Sequence, residues 1–211
     1  MPSSATEPGW LSEDHWTPDE WALLMTVARR SIEHGWAYQA PLSVCVEDYP
    51  HALRQPRGCF VTLKWQGQLR GCTGNLTPSE PLVKQVADQA WRAAFGDPRF
   101  SPLTPQEWPA LTLTLSILTP LRQLQVQTRD ELLSRLQPGI TGLVVRAGVH
   151  QATFLPSVWE QLRTPAEFVA HLLHKAGVDS STWSEDWQWW EYRAVSWTAP
   201  ADEPSAGKEP E

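Results

Sequence analysis

The segment Leu69-Arg70-Gly71-Cys72-Thr73-Gly74 sets a thiol between two glycines. A thiolate is a strong nucleophile and a covalent attachment point, and glycine lets a ligand or a second backbone come close. Arg70 lies two residues before Cys72, so on a regular strand both side chains face one side, where the guanidinium favours the thiolate. Backbone N–H groups from Gly71 through Thr73 to Gly74 offer donors to an oxyanion or a phosphate. The same residues also read as architecture, with Cys72 a small buried hydrophobe and the glycines at a bulge. Asp97-Pro98-Arg99-Phe100 is a turn by its Asp-Pro start. Asp97 and Arg99 are candidates either to reach the site as ligand-binding residues or to close a structural ion pair. Glu160, on a short helix after Pro156, is the acid–base candidate of the second half, against the alternative of a solvated face.

The elements that must position these residues are spelled by caps and periods. Thr17-Pro18-Asp19-Glu20 is a capping box with proline at the first helical position. Thr77-Pro78-Ser79-Glu80, Thr104-Pro105-Gln106-Glu107 and Thr164-Pro165-Ala166-Glu167 repeat it, and Thr128-Arg129-Asp130-Glu131 keeps its Thr and Glu. Helices follow the first box as far as about Gly35, the second through Ala94, and the Thr164 box up to Gly177. The box at Thr104 opens at most one turn before Pro109. Cys59 to Trp65 alternate as a strand, Gln66-Gly67 is a two-residue hairpin loop, and Gln68–Cys72 returns. Leu111 to Ile117 form a strand with one buried face, Gly142–Arg146 and Gln151–Phe154 make a second hairpin around Gly148, and a last strand runs from about Trp189 to Trp197. Residues 1–16 and 199–211 read as disordered ends around a domain spanning 17–198.

Both halves share the order hairpin, helix, strand, which raises an internal duplication. Aligning Gly67 with Gly148 puts Arg70 on Gln151, Gly71 on Ala152 and Cys72 on Thr153. Thr153 thereby becomes a ligand-binding candidate, and the two hairpin ends are expected to flank a shared cleft.

Composition removes several function classes. The chain has 211 residues, 24 acidic and 17 basic, for a net charge of −7. With no basic stripe, nucleic-acid binding is not expected. No apolar run reaches the ~18 residues of a membrane span, and no secretory leader is visible. Three cysteines, Cys45, Cys59 and Cys72, are too few for a disulfide scaffold and lack paired spacing, which fits the cytoplasm and argues against zinc or iron–sulfur sites. His171 and His174 have a legal i,i+3 metal spacing without a third ligand, so neither a metal nor any other cofactor is expected. No Walker A or GxGxxG sequence occurs. The 13 tryptophans are spread along the chain and read mainly as packing residues.

The chain resembles the AMMECR-type domain family, known in bacteria and archaea as protein A of the AmmeMemoRadiSam system. The match runs through Phe60–Leu63, Leu69–Gly74, Ala93-Ala94-Phe95, Asp97–Phe100, Ser116–Leu121, Pro138-Gly139, Gly142-Leu143 and, most specifically, Ala152–Leu162. Thr73 stands where the family usually has Ile. The resemblance implies a two-lobed α+β fold of antiparallel sheets with packed helices, and association with a radical-SAM enzyme and a Memo-like protein. It supplies no established reaction. Two readings follow: a cytoplasmic enzyme or carrier using Cys72 on a small-molecule or peptide ligand, or a non-catalytic scaffold serving those partners.

Overall fold

The structure, a computed structural model, describes residues 16–201. In chain order its first elements are α1 (Pro18–Tyr38), α2 (His51–Arg54), β1 (Cys59–Trp65), β2 (Gln68–Asn75), α3 (Leu82–Phe95), β3 (Leu111–Leu118) and β4 (Arg122–Leu124). The rest are α4 (Arg129–Arg135), β5 (Gly142–Ala147), β6 (His150–Phe154), α5 (Pro165–Lys175), β7 (Gln188–Tyr192) and β8 (Ala194–Pro200). They form two compact units, one made of the residues up to Ile117 together with those from Val195, the other of Leu118–Ala194. Each unit is a four-stranded antiparallel sheet with helices, the α+β class expected.

In the first unit the strand order is β2-β1-β3-β8. Cys59, Val61 and Leu63 of β1 and Leu111, Leu113, Leu115 and Ile117 of β3 are buried with Trp21, Leu24 and Ile32 of α1 and Val83, Val86 and Ala90 of α3. This alternation leaves the opposite face to Phe60, Thr62, Thr114 and Ser116. Thr17 caps α1 as spelled, its hydroxyl accepting from Glu20 N–H at 3.2 Å. The helix runs past Gly35, where Trp91 and Phe95 of α3 come against it, and stops where Gln39 takes a left-handed φ of 53°. The capping box expected at Thr77 is not used. α3 starts after Pro81, and its first N–H, on Leu82, donates instead to the carbonyl of Gln55 at 3.0 Å. A main-chain acceptor from another segment has replaced the cap. The hairpin loop Gln66-Gly67 has φ of 50° and 80°, the paired left-handed geometry that matches strand twist.

In the second unit the order is β6-β5-β7-β4. Leu143, Val145 and Trp189 are buried with Phe168, Val169, Leu172 and Leu173 of α5. Trp159 stacks on Phe168 with ring centroids 3.9 Å apart, and its indole N–H donates to the carbonyl of Thr141 at 2.7 Å. The motif Ala152–Leu162 is thus in large part an anchor for α5. The single last strand expected from Trp189 to Trp197 is two strands in two sheets. Between them Arg193 exchanges main-chain contacts with Thr119, whose N–H donates to the Arg193 carbonyl and whose hydroxyl accepts from the Arg193 N–H. The first residues of the tail expected from Ala199 are ordered, because Ala199 and Pro200 complete β8 and Ala201 is buried with its N–H on the carbonyl of Leu111. The rest of that tail, and the N-terminal segment apart from Trp16, lie outside the described residues.

Three strands of each sheet share one connectivity. In each, a hairpin is followed by a helix and then by a strand beside the hairpin's first strand, β2-β1-β3 in one and β6-β5-β7 in the other. Counted from the loops, Gly71 opposite Leu63 corresponds to Ala152 opposite Val145, and Cys72 opposite Thr62 to Thr153 opposite Val144. Arg70 has no counterpart, because Leu69 rather than Arg70 falls on Gln151.

Trp159→Ala empties a buried stack, and large-to-small core changes of this kind cost about 3–5 kcal/mol. Trp159→Phe keeps an aromatic ring in the stack but loses the pyrrole ring and the hydrogen bond, at a smaller cost of about 1–3 kcal/mol. Urea denaturation of the two variants should rank them in that order below the parent.

Candidate functional site

β2 is an edge strand, and Thr62 of β1 is the cross-strand partner of Cys72. The N–H and C=O of Cys72 both find their partners away from β1. That is the pattern of a non-hydrogen-bonded pair, in which facing side chains lie closest. Accordingly Thr62 Oγ1 sits 3.3 Å from the sulfur. Cys72 is a free, half-buried thiol.

On the open side of the edge, one turn does with side chains what a neighbouring strand would do with its backbone. Asp97 Oδ2 accepts from the Cys72 N–H at 2.9 Å, and Arg99 Nη2 donates to the Cys72 carbonyl at 3.3 Å. The two side chains close on each other, Nε to Oδ1 at 2.9 Å and Nη2 to Oδ2 at 2.6 Å, and the Arg99 N–H also donates to Oδ1. The Asp97 carboxyl is 4% exposed. Arg99 foremost, then the N–H of Cys72, hold it well below the usual carboxylate range against the penalty of burial. The turn expected at Asp97-Pro98-Arg99-Phe100 is present, with the Phe100 N–H on the Asp97 carbonyl at 3.1 Å.

Arg70 is placed differently from the expectation. Leu69 faces Lys64 and Gly71 faces Leu63, so Arg70 is the extra residue of a bulge that breaks the alternation with Cys72. Its guanidinium grips Glu107, Nε to Oε1 at 2.7 Å and Nη2 to Oε2 at 3.2 Å. Glu107 also accepts from the N–H and hydroxyl of Thr104 at 2.8 and 2.9 Å. With Arg70 as the largest cause, its carboxyl is held down to about 2. The guanidinium that reaches Cys72 is therefore that of Arg99. The Phe100 ring lies by both cations, 5.9 Å from Arg70 Cζ and 5.4 Å from Arg99 Cζ.

At both glycines a protein group comes close. A Cβ on Gly71 would fall 2.0 Å from the Ala93 carbonyl oxygen of α3, and one on Gly74 would fall 2.3 Å from the Phe60 ring. Thr73 turns to α3, its hydroxyl donating to the Gln89 carbonyl at 2.9 Å. The Cys72 amide, read as an oxyanion donor, is already bound by Asp97. Thr153 and Glu160 belong to the second unit. The Thr153 hydroxyl donates to the Leu143 carbonyl at 3.0 Å and meets the buried Tyr192 hydroxyl at 2.9 Å; burial raises that phenol above its usual range. Glu160 ends the 3-10 helix Pro156–Glu160, exposed. Thus Cys72, Asp97 and Arg99 are assembled in one place, Arg70 stands beside them with Glu107, and Gly71, Thr73, Gly74 and Thr153 are occupied in packing. His171 and His174 are both exposed on α5, and Cys59 is buried, its thiol pushed up to about 12.

Thr62 and Glu107 were not legible as site residues. Counting back from the hairpin loop without a bulge sets Thr62 opposite Gly71; the inserted Arg70 moves it onto Cys72. Glu107 is visible in its capping box, but its second use by Arg70 needs the tertiary fold.

Residues 25–197 match the AMMECR1 family, and the chain belongs to it. It is similar to a protein of Methanothermobacter thermautotrophicus, 37% identical over 161 residues, covering 76% of this chain and 83% of that protein. It is 34% identical over 174 residues to Protein MJ0810 of Methanocaldococcus jannaschii, covering 79% and 83%. The crystal structure of uncharacterized protein PH0010 from Pyrococcus horikoshii superposes with a TM-score of 0.78 at 31% identity, over 85% of this chain and 91% of that one.

Carboxyls depressed in the fold contribute stability that is complete above their unfolded values and lost as pH falls through the folded ones. For Glu107 that window runs from its ordinary 4.5 down to about 2. Urea midpoints should show Glu107→Gln less stable than the parent at pH 6 and nearly equal to it at pH 2.

Proposed function

We propose that this AMMECR1-family chain handles a small-molecule or peptide ligand through Cys72, as a covalent carrier. The observation behind this is a free, half-buried thiol whose N–H and C=O are both pinned by the Asp97–Arg99 pair while Thr62 meets its sulfur. A backbone fixed in this way presents the sulfur in one place, which lowers the entropy lost when a ligand is joined to it. In the joining step the Sγ–C bond forms at an electrophilic carbon of the ligand as the bond to its leaving group breaks. The leaving group keeps the electron pair, and the thiol proton passes to water. Free cysteines suit a reducing compartment, so the carrier is assigned to the cytoplasm. No helix among the described residues is long and apolar enough to cross a membrane.

A second reading is favoured by a different observation. The Cys72 amide and the guanidiniums of Arg70 and Arg99 are already engaged by protein groups. A protein so saturated is suited to present a surface, as a scaffold for a radical-SAM enzyme or a Memo-like protein.

Peptide mapping after brief exposure to iodoacetamide should find Cys72 and the exposed Cys45 labelled and Cys59 unlabelled until the chain is denatured. In cells whose pathway needs this protein, Cys72→Ala and Cys72→Ser should lose its activity at least tenfold. Full retention by both, with the folded protein present at parental levels, overturns the carrier and leaves the scaffold.

A further inference from the structure

We propose that Thr62 is a positioning residue for the Cys72 thiol, its hydroxyl donating to the sulfur; this rests on the reading of Cys72 as the working group. Three features of the sheet converge on it. The bulge at Arg70 shifts the register so that Thr62, and not its neighbour, stands opposite Cys72. The pair is of the non-hydrogen-bonded kind, with Oγ1 and Sγ 3.3 Å apart in a part-buried setting. On the other flank of Thr62 the β3 partner is Thr114, and the Thr114 hydroxyl is bonded at 2.8 Å to that of Thr198 in β8. The row Cys72, Thr62, Thr114, Thr198 thus crosses the sheet with its outer hydroxyls paired to each other and the Thr62 hydroxyl turned to sulfur.

A neutral thiol can donate or accept, but a sulfur that has lost its proton can only accept. The contact is kept in both forms only with Thr62 as donor, so it holds the side chain in place throughout the reaction. β-branching adds to this. Thr62 is confined to few rotamers on a central strand, so the oxygen is already aimed when the thiol reacts.

The test compares the iodoacetamide alkylation rate of Cys72 at pH 7 in the full-length parent, Thr62→Val and Thr62→Ser, with exposed Cys45 in the same sample as internal standard. The valine variant keeps the shape and removes the donor, and should slow Cys72 about three- to tenfold while Cys45 is unchanged. The serine variant should recover to within about twofold of the parent. Thr62→Ala serves if the valine variant does not fold, and should be as slow. Parental or faster alkylation in the valine or alanine variant overturns the proposal, as does serine that is as slow as valine. Failure of the underlying reading looks different: Thr62→Val slows labelling, yet Cys72→Ala keeps full pathway activity.

Discussion

The first unit depends on how one edge of its sheet is closed. Among the described residues β2 has no neighbouring strand beyond it, and an unpaired strand edge invites pairing with another chain. At Cys72 the chain answers with a carboxylate for the N–H and a guanidinium for the C=O, both from the turn that ends α3. The two groups neutralise each other, so the edge is closed without leaving a lone buried charge. This closure ties the end of α3 to the middle of β2. It also fixes the backbone at Cys72 and engages the N–H that would otherwise be free to donate to an oxyanion. The hydrogen-bonding atoms at this edge are therefore already committed to the fold.

Much of the fold could be read without coordinates, because it rests on local rules. The Thr17 and Thr164 boxes cap α1 and α5 as spelled, the Gln66-Gly67 turn makes its hairpin, and the alternation of β3 separates a buried leucine face from a hydroxyl face. The readings that failed each involve a partner from elsewhere in the chain. Thr77 does not cap α3 because the Gln55 carbonyl has taken the place of the cap. Trp189 to Trp197 is not one strand because Thr119 binds Arg193 in the middle of it.

At the site the decisive hidden element is one inserted residue. A strand's alternation passes down the chain only while the register is kept, and the bulge at Arg70 breaks it between two residues whose relation was to define the site. Arg70 is thereby released to Glu107, Arg99 takes its place beside Cys72, and Thr62 is brought opposite the sulfur. The second unit, which shares the first unit's connectivity over three strands, has no such insertion, and there the residue corresponding to Cys72 is Thr153, bonded to Leu143 and Tyr192. A shared scaffold accommodates a thiol in one copy and a structural hydroxyl in the other.

The position of β8 has a consequence for how the molecule comes into being. The second unit is one uninterrupted stretch, whereas the first surrounds it in sequence and receives its outermost strand from the far end of the chain. During synthesis the inserted stretch has all of its strands before the ribosome reaches Val195. The sheet that carries Cys72 must wait with the side of β3 open until β8 emerges. The unit that carries Cys72 is thus completed after the other, and a chain released before Val195 would have every strand of the second unit while lacking β8 of the first.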